Sequence, residues 1–310
     1  MIISDFVYLK SNLNSKNLMA SDSALANIFL LAPKYHTEIS IKNSCLIRKY
    51  NGRENRLGYA FPVPLNNAPD DYLKNAVSDL IKNHSDKNPL RFCLCTMEQK
   101  NALDRCFAEN FSSYKINWNT TRNDSDYIYL SQNLASLSGK ILHKKKNHVS
   151  KFLREYENRF SFKLYPKENI ASDILQIEDE WFNERSSDVE KAFDEKSLNL
   201  EKESIKEALE NTEVFDITGA VIYIDEKPSA FCLASPAGSN TLDIHFEKVL
   251  SSVAENGGYA AINNFFAKEN LSYLYINREE DMGVEGLRHA KLSYKPEIIL
   301  DKFFGEVELS

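Results

Sequence analysis

Two stretches of this 310-residue chain run through the same order of elements, and that repetition restricts the fold more than any single motif. In the first, Ser21-Asp22 reads as the cap of a short helix through Ala24, Ile28 and Leu31 that Pro33 closes. Strand-like runs follow at 37–41, 44–50 and 57–63, with Asn43 and Asn51-Gly52 as turns and Pro62 and Pro64 ending the third. Leu73, Ala76, Val77, Leu80 and Ile81 fall on one stripe and predict a helix over 70–82. A strand at 90–96, a helix at 98–109 and a strand at 113–118 complete this half. The second stretch opens with a strand at 160–164 and a long acidic helical region at 170–209, broken near Ser186-Ser187. Strands at 215–224, 229–235 and 241–247, a helix at 259–268, a strand at 271–276, a helix at 284–292 and a strand at 297–300 follow. Both halves read helices, three strands, helix, strand, helix, strand, and an internal duplication explains it. A polar run, Asn119 to Ser125, separates them. The expected divisions are 1–125, a connecting strand and basic helix at 126–158, and 159–310 with the candidate site.

This length is enough for two cores. No apolar run is long enough to span a membrane, and MIISDFVYLK lacks the pattern of a secretion signal, so the expected location is the cytoplasm. The five cysteines have no repeating spacing. Cys93 and Cys95 would share one face of a strand, but nothing completes a ligand set, so no metal site is expected. The net charge of −7 disfavours nucleic acid globally, yet it is unevenly placed. Residues 178–213 hold thirteen Asp and Glu against five Lys and Arg, which accounts for the whole excess, and a basic cluster occupies 140–154.

The stretch Tyr275 to Pro296 is where chemistry concentrates. A short apolar strand runs into Asn277-Arg278-Glu279-Glu280-Asp281, then a turn at Met282-Gly283 and a helix with Arg288 and Lys291. Charges at the end of a buried strand are costly unless paired or met by a ligand, and the carboxyl ends of strands are where open α/β sheets bind ligands. A solvated loop before a helix N-terminus reads equally well. Asp243, His245 and Glu247 alternate and should point to one face, either as a structural network or as a substrate-facing wall with a general base. Asn256-Gly257-Gly258-Tyr259 sits between strand and helix, where free N–H groups could hold an anion or glycines could simply make a loop. Arg288, Lys291 and Lys295 are spaced as a cationic edge. Lys145 falls inside the apolar stripe of the basic helix, so it either snorkels out or points into a cleft where an anion neutralises it.

Several of these segments look familiar together: Asp126-Tyr127-Ile128-Tyr129, Leu137 to His148 with its lysines, Ile244-His245-Phe246-Glu247-Lys248, and Asn277-Arg278-Glu279-Glu280-Asp281-x-Gly283-x-Glu285-Gly286-Leu287-Arg288-x-Ala290-Lys291-Leu292-Ser293-Tyr294-x-Pro296. They resemble a bacterial family grouped with the C-terminal catalytic domain of phosphatidylglycerol lysyltransferase, over most of the chain and most strongly from 126 to 300. The resemblance implies an α+β chain with mixed sheets, built as two tandem GNAT-like acyltransferase domains. It also implies kinship with Fem-type transferases, which use aminoacyl-tRNA. Glu255-Asn256-Gly257-Gly258 does not match the pyrophosphate loop of acetyl-CoA enzymes, so aminoacyl-tRNA is favoured over acyl-CoA as donor co-substrate, with no permanently bound cofactor.

The expected function is therefore an aminoacyl- or acyltransferase that acts on an amine or hydroxyl acceptor, whether a small molecule, a lipid head-group or a peptide. His245, Glu247 and Asp281 would position or deprotonate the acceptor, and Arg278, Arg288 and Lys291 would stabilise negative charge. Lys145, Lys146, Gly257, Gly258 and Tyr259 would hold donor phosphate, with Asp126, Asn277, Glu279 and Glu280 in support. tRNA would add salt-dependent contacts along 144–151. The alternatives are an acyl-CoA-dependent N-acetyltransferase and a GNAT-like binding protein without turnover.

Overall fold

A computed structural model describes residues 3–16, 18–52, 54–84, 88–186 and 195–310. The chain forms two compact units: Met1–Lys16, Leu31–Ser125 and Leu300–Ser310 in one, Asn17–Leu30 and Asp126–Ile299 in the other. Each unit is a mixed sheet with helices, so the chain is α+β with two tandem units, as the repeated order implies.

In the first unit α1 (Ile3–Asn12) buries Phe6 and Leu9. The chain then lends α2 (Leu25–Leu30) to the second unit and returns with α3 (Ala32–Tyr35). Pro33 lies in the first turn of α3, so it starts that helix rather than closing the one before. β1 (Glu38–Lys42) and β2 (Cys45–Asn51) form a hairpin whose turn residues Asn43 and Ser44 have φ of 50° and 56°. Positive φ at both central positions matches the twist of the flanking strands. β3 (Leu57–Tyr59) and β4 (Val63–Pro64) divide the single run expected at 57–63, where Pro62 has no N–H for a ladder. After α4 (Tyr72–Lys82), β5 (Leu90–Cys95), α5 (Met97–Asn110) and β6 (Tyr114–Thr120), the sheet order is β1-β2-β3-β5-β14-β6, where β14 (Phe303–Leu309) comes from the end of the chain. A left-handed Leu94 (φ 55°) breaks the alternation of β5, so Cys95 joins one core cluster and Cys93 another. They do not share a face. All five cysteines are buried and outside any disulfide, and burial pushes the Cys45 and Cys95 thiols up to about 11 and about 12.

The second unit begins with β7 (Asp126–Leu130), α6 (Ser131–Ser136), α7 (Gly139–Glu155) and β8 (Phe160–Tyr165). Helices α8 (Ala171–Ser186) and α9 (Glu195–Glu210) fill the acidic region; of the expected break near Ser186-Ser187, Ser187 lies outside the described residues. Then come α10 (Thr212–Phe215), β9 (Thr218–Ile224), β10 (Lys227–Pro236), β11 (Thr241–Val249), α11 (Ser251–Ala254), α12 (Gly258–Glu269), β12 (Tyr275–Asn277), α13 (Glu285–Leu292) and β13 (Ile298–Leu300). The sheet order is β13-β7-β12-β11-β10-β9-β8. The duplication is visible in detail: α3 and α10 both end on a left-handed residue, His36 (φ 48°) and Asp216 (φ 53°), and both lead into a hairpin with a two-residue positive-φ turn. A parallel pair occurs in each sheet, β3 with β5 and β11 with β12.

Strand pairing moves three stretches from where the sequence placed them. β7 pairs with β12 inside the second sheet rather than serving as a connector. β14 pairs with both β5 and β6 in the first sheet rather than staying with 159–310. Ser21 gives its N–H and hydroxyl to the Asp126 carboxylate at 2.7 and 3.0 Å, so 17–30 belongs to the second unit and Ser21 caps no helix. Among the described residues, no helix is long and apolar enough to cross a membrane.

Removing 303–310 leaves β5 and β6 with open edges facing one another. In a Trp181→Phe background the truncated chain should show red-shifted Trp118 fluorescence, because Trp118 lies opposite Gly305 of β14. An unchanged spectrum would contradict the insertion of β14.

Candidate active site

β11 and β12 pair in parallel only through Thr241–Asp243 and Tyr275–Asn277. Beyond that point β11 continues to Val249 while the chain after β12 turns away, so the sheet opens at the carboxyl ends of its two central strands. A bulge sits at the same place. Ile244 lies opposite Ala234 and Phe246 opposite Leu233, which leaves His245 outside the register. The extra residue flips the face of everything after it. Asp243, His245 and Glu247 therefore do not share a face as simple alternation predicts. Glu247 lies opposite Cys232, a member of the core cluster that contains α7 and α12 residues, while Asp243 lies opposite Ser235.

On the α7 and α12 side, Glu247 Oε1 accepts from Arg278 Nη2 at 2.6 Å and Oε2 from Asn263 Nδ2 at 3.3 Å. The Arg278 and Glu247 side chains are only 12% and 11% exposed, so each is the other's main compensation for lost water. The Arg278 guanidinium lies 4.9 Å from the Tyr294 ring centre and 6.0 Å from that of Tyr129. Lys145 reaches the same ring, its Nζ 4.2 Å from the Tyr294 centre, and so points inward rather than snorkelling. Burial, with Arg278 adding to it and Glu247 opposing, lowers the Lys145 ammonium to about 8. Burial pushes the Tyr294 hydroxyl up to about 12. Two atoms of this cluster, Arg278 Nη1 and Asn263 Oδ1, are buried without a hydrogen-bond partner.

On the other side, His245 Nδ1 lies 3.2 Å from Asp243 and 3.6 Å from Glu279, and Nε2 lies 2.7 Å from Ser235 Oγ. Burial alone would lower this imidazole, but the two carboxylates outweigh it and hold it at about 9. The Asp243 carboxylate beside it therefore favours the protonated imidazole over the neutral form that a general base needs. Burial and the Asp243 charge raise Glu279 to about 8 against the pull of His245. Ligand atoms of Asp243, His245 and Glu279 all lie within 4.8 Å of one another, a set that could hold a metal ion.

The five polar residues that begin with Asn277, the last of β12, are locked in place. Asn277 donates to Asp126 and to the Met19 carbonyl, both at 2.9 Å, and its Oδ1 accepts from the Glu279 N–H at 2.7 Å. That cap holds Glu279 at φ 55°. Lys291 gives its ammonium to the carbonyls of Arg278, Glu279 and Glu280 at 2.5, 3.1 and 2.5 Å. The Asp281 carboxylate accepts from Tyr127, from Arg288 Nε and Nη2, and from the Gly283 N–H. Burial would raise it, but these donors hold it at about 2. Asp281 is thus no base, and Arg288 and Lys291 hold the loop rather than a substrate anion.

The glycine turn is also committed to packing. A Cβ on Gly257 (φ 91°) would meet the His148 carbonyl of α7 at 2.3 Å, and one on Gly258 would meet Val249 and Val253 at 2.7 and 2.9 Å. With Tyr259, these residues fix α7 against the start of α12, helped by Lys151 on the Glu255 carbonyl. Lys146 points elsewhere, into a cleft of about 420 Å³ lined with Leu137, Gly139, Lys140 and His143. Sequence reasoning missed Tyr129, Tyr294 and Asn263. The first two stand inside segments already singled out, and an asparagine at a core position of α12 was the available signal for the third.

The paired sheets and the opening at β11 and β12 define a duplicated α+β fold. The chain belongs to the family described as phosphatidylglycerol lysyltransferase, C-terminal, which matches residues 15–304. A conserved protein of unknown function from Bacteroides thetaiotaomicron is 28% identical with a TM-score of 0.85, covering 99% of this chain and 98% of that one. The C-terminal domain of a putative lysylphosphatidylglycerol synthetase from Agrobacterium fabrum shares the fold at 12% identity and a TM-score of 0.62, over 98% of this chain and 92% of that one. Uncharacterized protein MYCGA3080 of Mycoplasmoides gallisepticum is 25% identical over 254 residues, 79% of this chain and 74% of that protein.

Two outcomes follow from the locked groups. His245 holds its proton to about 9 when folded against an ordinary 6.5, so its contribution to stability is complete below 6.5 and is lost as pH rises towards 9. Glu279, also raised, loses stability in the same direction. The melting temperature should fall across that window, with a shallower slope in Asp243→Asn; a flat profile would contradict the buried imidazolium. Lys291→Met strips three carbonyls of their donor and should cost about 3 kcal/mol in urea unfolding. A loss within the error of the fit would mean that other groups hold the loop.

Proposed function

We propose that this protein transfers an acyl or aminoacyl group from an activated donor, with aminoacyl-tRNA favoured, to an amine or hydroxyl acceptor at the opening between β11 and β12. The observation that carries the reading is the Glu247–Arg278–Lys145 cluster on the Tyr294 ring, held at the carboxyl ends of the diverging strands. The acceptor nitrogen or oxygen attacks the donor carbonyl carbon, the new bond forms, and the ester or thioester bond breaks with its leaving group taking up a proton. Backbone N–H groups on the free edge of β11 are suited to the developing oxyanion, which is generally the larger catalytic effect. Glu247 is placed to orient the acceptor and accept its proton.

Two features favour tRNA over coenzyme A. The backbone of α7 packs against Gly257, where a pyrophosphate would need the start of α12. The same helix exposes Lys140, Lys144, Lys146, Lys151 and Arg154, a face suited to phosphate contacts, while its Lys145 reaches the cluster. The A. fabrum neighbour's printed name, a lysylphosphatidylglycerol synthetase, agrees with aminoacyl transfer.

Binding to a charged tRNA pool at two salt concentrations, with coenzyme A as competitor, tests the donor. Salt-sensitive retention with preference for charged over uncharged tRNA is the expected result. Retention of coenzyme A without tRNA would make this an acyl-CoA enzyme, and binding of neither would leave a GNAT-like protein without turnover. Glu247→Gln should lower transfer by roughly 100-fold and also lower the melting temperature, because Arg278 loses its buried counter-charge; full activity in that variant would remove Glu247 from the chemistry.

A further inference from the structure

The charges at the opening do not balance. Arg278 and Lys145 both lie over the Tyr294 ring, and Glu247 is the carboxylate set between Arg278 and Asn263. One positive charge is left over. The two buried atoms without partners flank the same carboxylate: Arg278 Nη1 is a donor, and Asn263 Oδ1 is an acceptor. A polar atom withdrawn from water without a partner is costly, so such a pair is best explained by a ligand that satisfies both. That ligand must bring an oxyanion to the Arg278 and Lys145 side and an N–H donor to the Glu247 and Asn263 side, a few ångströms away.

We propose that the acceptor is a small amine that also carries a carboxylate, of the α-amino acid or peptide C-terminal class, and that Arg278 and Lys145 bind the carboxylate while Glu247 and Asn263 hold the amine. This rests on the transferase reading and narrows its acceptor. With the amine in the neutral form that attacks, a single carboxylate cancels the excess charge, and the planar guanidinium suits a planar carboxylate. The amine then stands beside Glu247, and Glu247 takes the proton released when nitrogen bonds to the donor carbonyl carbon and the ribose hydroxyl leaves. The arrangement also explains why an ammonium lies among aromatic rings in a site that already holds a guanidinium: its counter-charge arrives with the substrate. The lowered Lys145 is consistent with this, since the ammonium has no full counter-charge of its own.

The experiment is isothermal titration of the full chain, without donor, against free α-amino acids, their α-carboxamides and glycerophosphoglycerol. Free acids should bind at least roughly ten-fold more tightly than the matching amides, a difference of about 1.4 kcal/mol. Affinity for the acids should weaken as pH rises through about 8, where Lys145 loses its proton. Lys145→Met should abolish the preference for acids over amides while the protein still melts cooperatively; Arg278→Lys provides a second variant that keeps the charge but not the planar contact. Equal binding of acids and amides, failure of every acid to bind, or binding of glycerophosphoglycerol alone would each overturn the proposal. Tight acid binding without transfer from any donor would sink the transferase reading and leave this subsite standing. Transfer to amines that lack a carboxylate with an unchanged KM would do the reverse.

Discussion

The ion pair between Arg278 and Glu247 is the contact on which the candidate site depends. One partner lies on β11 beyond the last ladder pair and the other just past the end of β12, so the pair spans the opening where the strands part. Both side chains are almost wholly buried, and removing either would leave an uncompensated charge in a low-dielectric surrounding. This keeps the opening polar. In the first unit the equivalent parallel pair, β3 with β5, is flanked by Ala60, Phe61, Phe92 and Cys93, all buried and uncharged.

Around the pair, the chain uses charge to fix backbone. Lys291 spends its ammonium on three successive carbonyls, Asn277 caps a left-handed Glu279, and Asp281 is held by Tyr127 and Arg288. A loop with that many internal donors can hold a side chain in place at the end of a strand, which is the preorganisation that transition-state stabilisation requires. Many of the charged residues in the motif thus act at one remove. They position Arg278, which faces the opening.

Much of the fold was legible because apolar periodicity and turn residues report local structure directly. The hairpins at Asn43 and at Asp225-Glu226, the stripe of 70–82 and the order of elements in each half are examples. What was not legible involves contacts distant in sequence. Nothing local in Phe303–Leu309 says that it will lie between β5 and β6, and nothing near Ser21 announces Asp126 as its partner. Within the site, Lys145 was legible because a lysine in an apolar stripe is an anomaly that demands a partner. The faces of Asp243, His245 and Glu247 were not. One bulge at His245, set by pairing with β10, reverses the alternation on which that reading stood. The basic look of Arg288 and Lys291 misled for a related reason: residue type reveals a charge but not whether backbone carbonyls or carboxylates have already taken it.

The central claim is that an activated carbonyl reacts at the opening between β11 and β12. The most direct measurement is single-turnover transfer from a radiolabelled charged tRNA pool to a mixed pool of amine acceptors, comparing the native chain with Arg278→Lys. Label should move into a new amide with the native chain, and the rate should fall by roughly 100-fold in the variant, which keeps the charge but loses the planar guanidinium contact that positions it. Equal rates in the two proteins would contradict the claim, because chemistry indifferent to Arg278 does not take place at this opening.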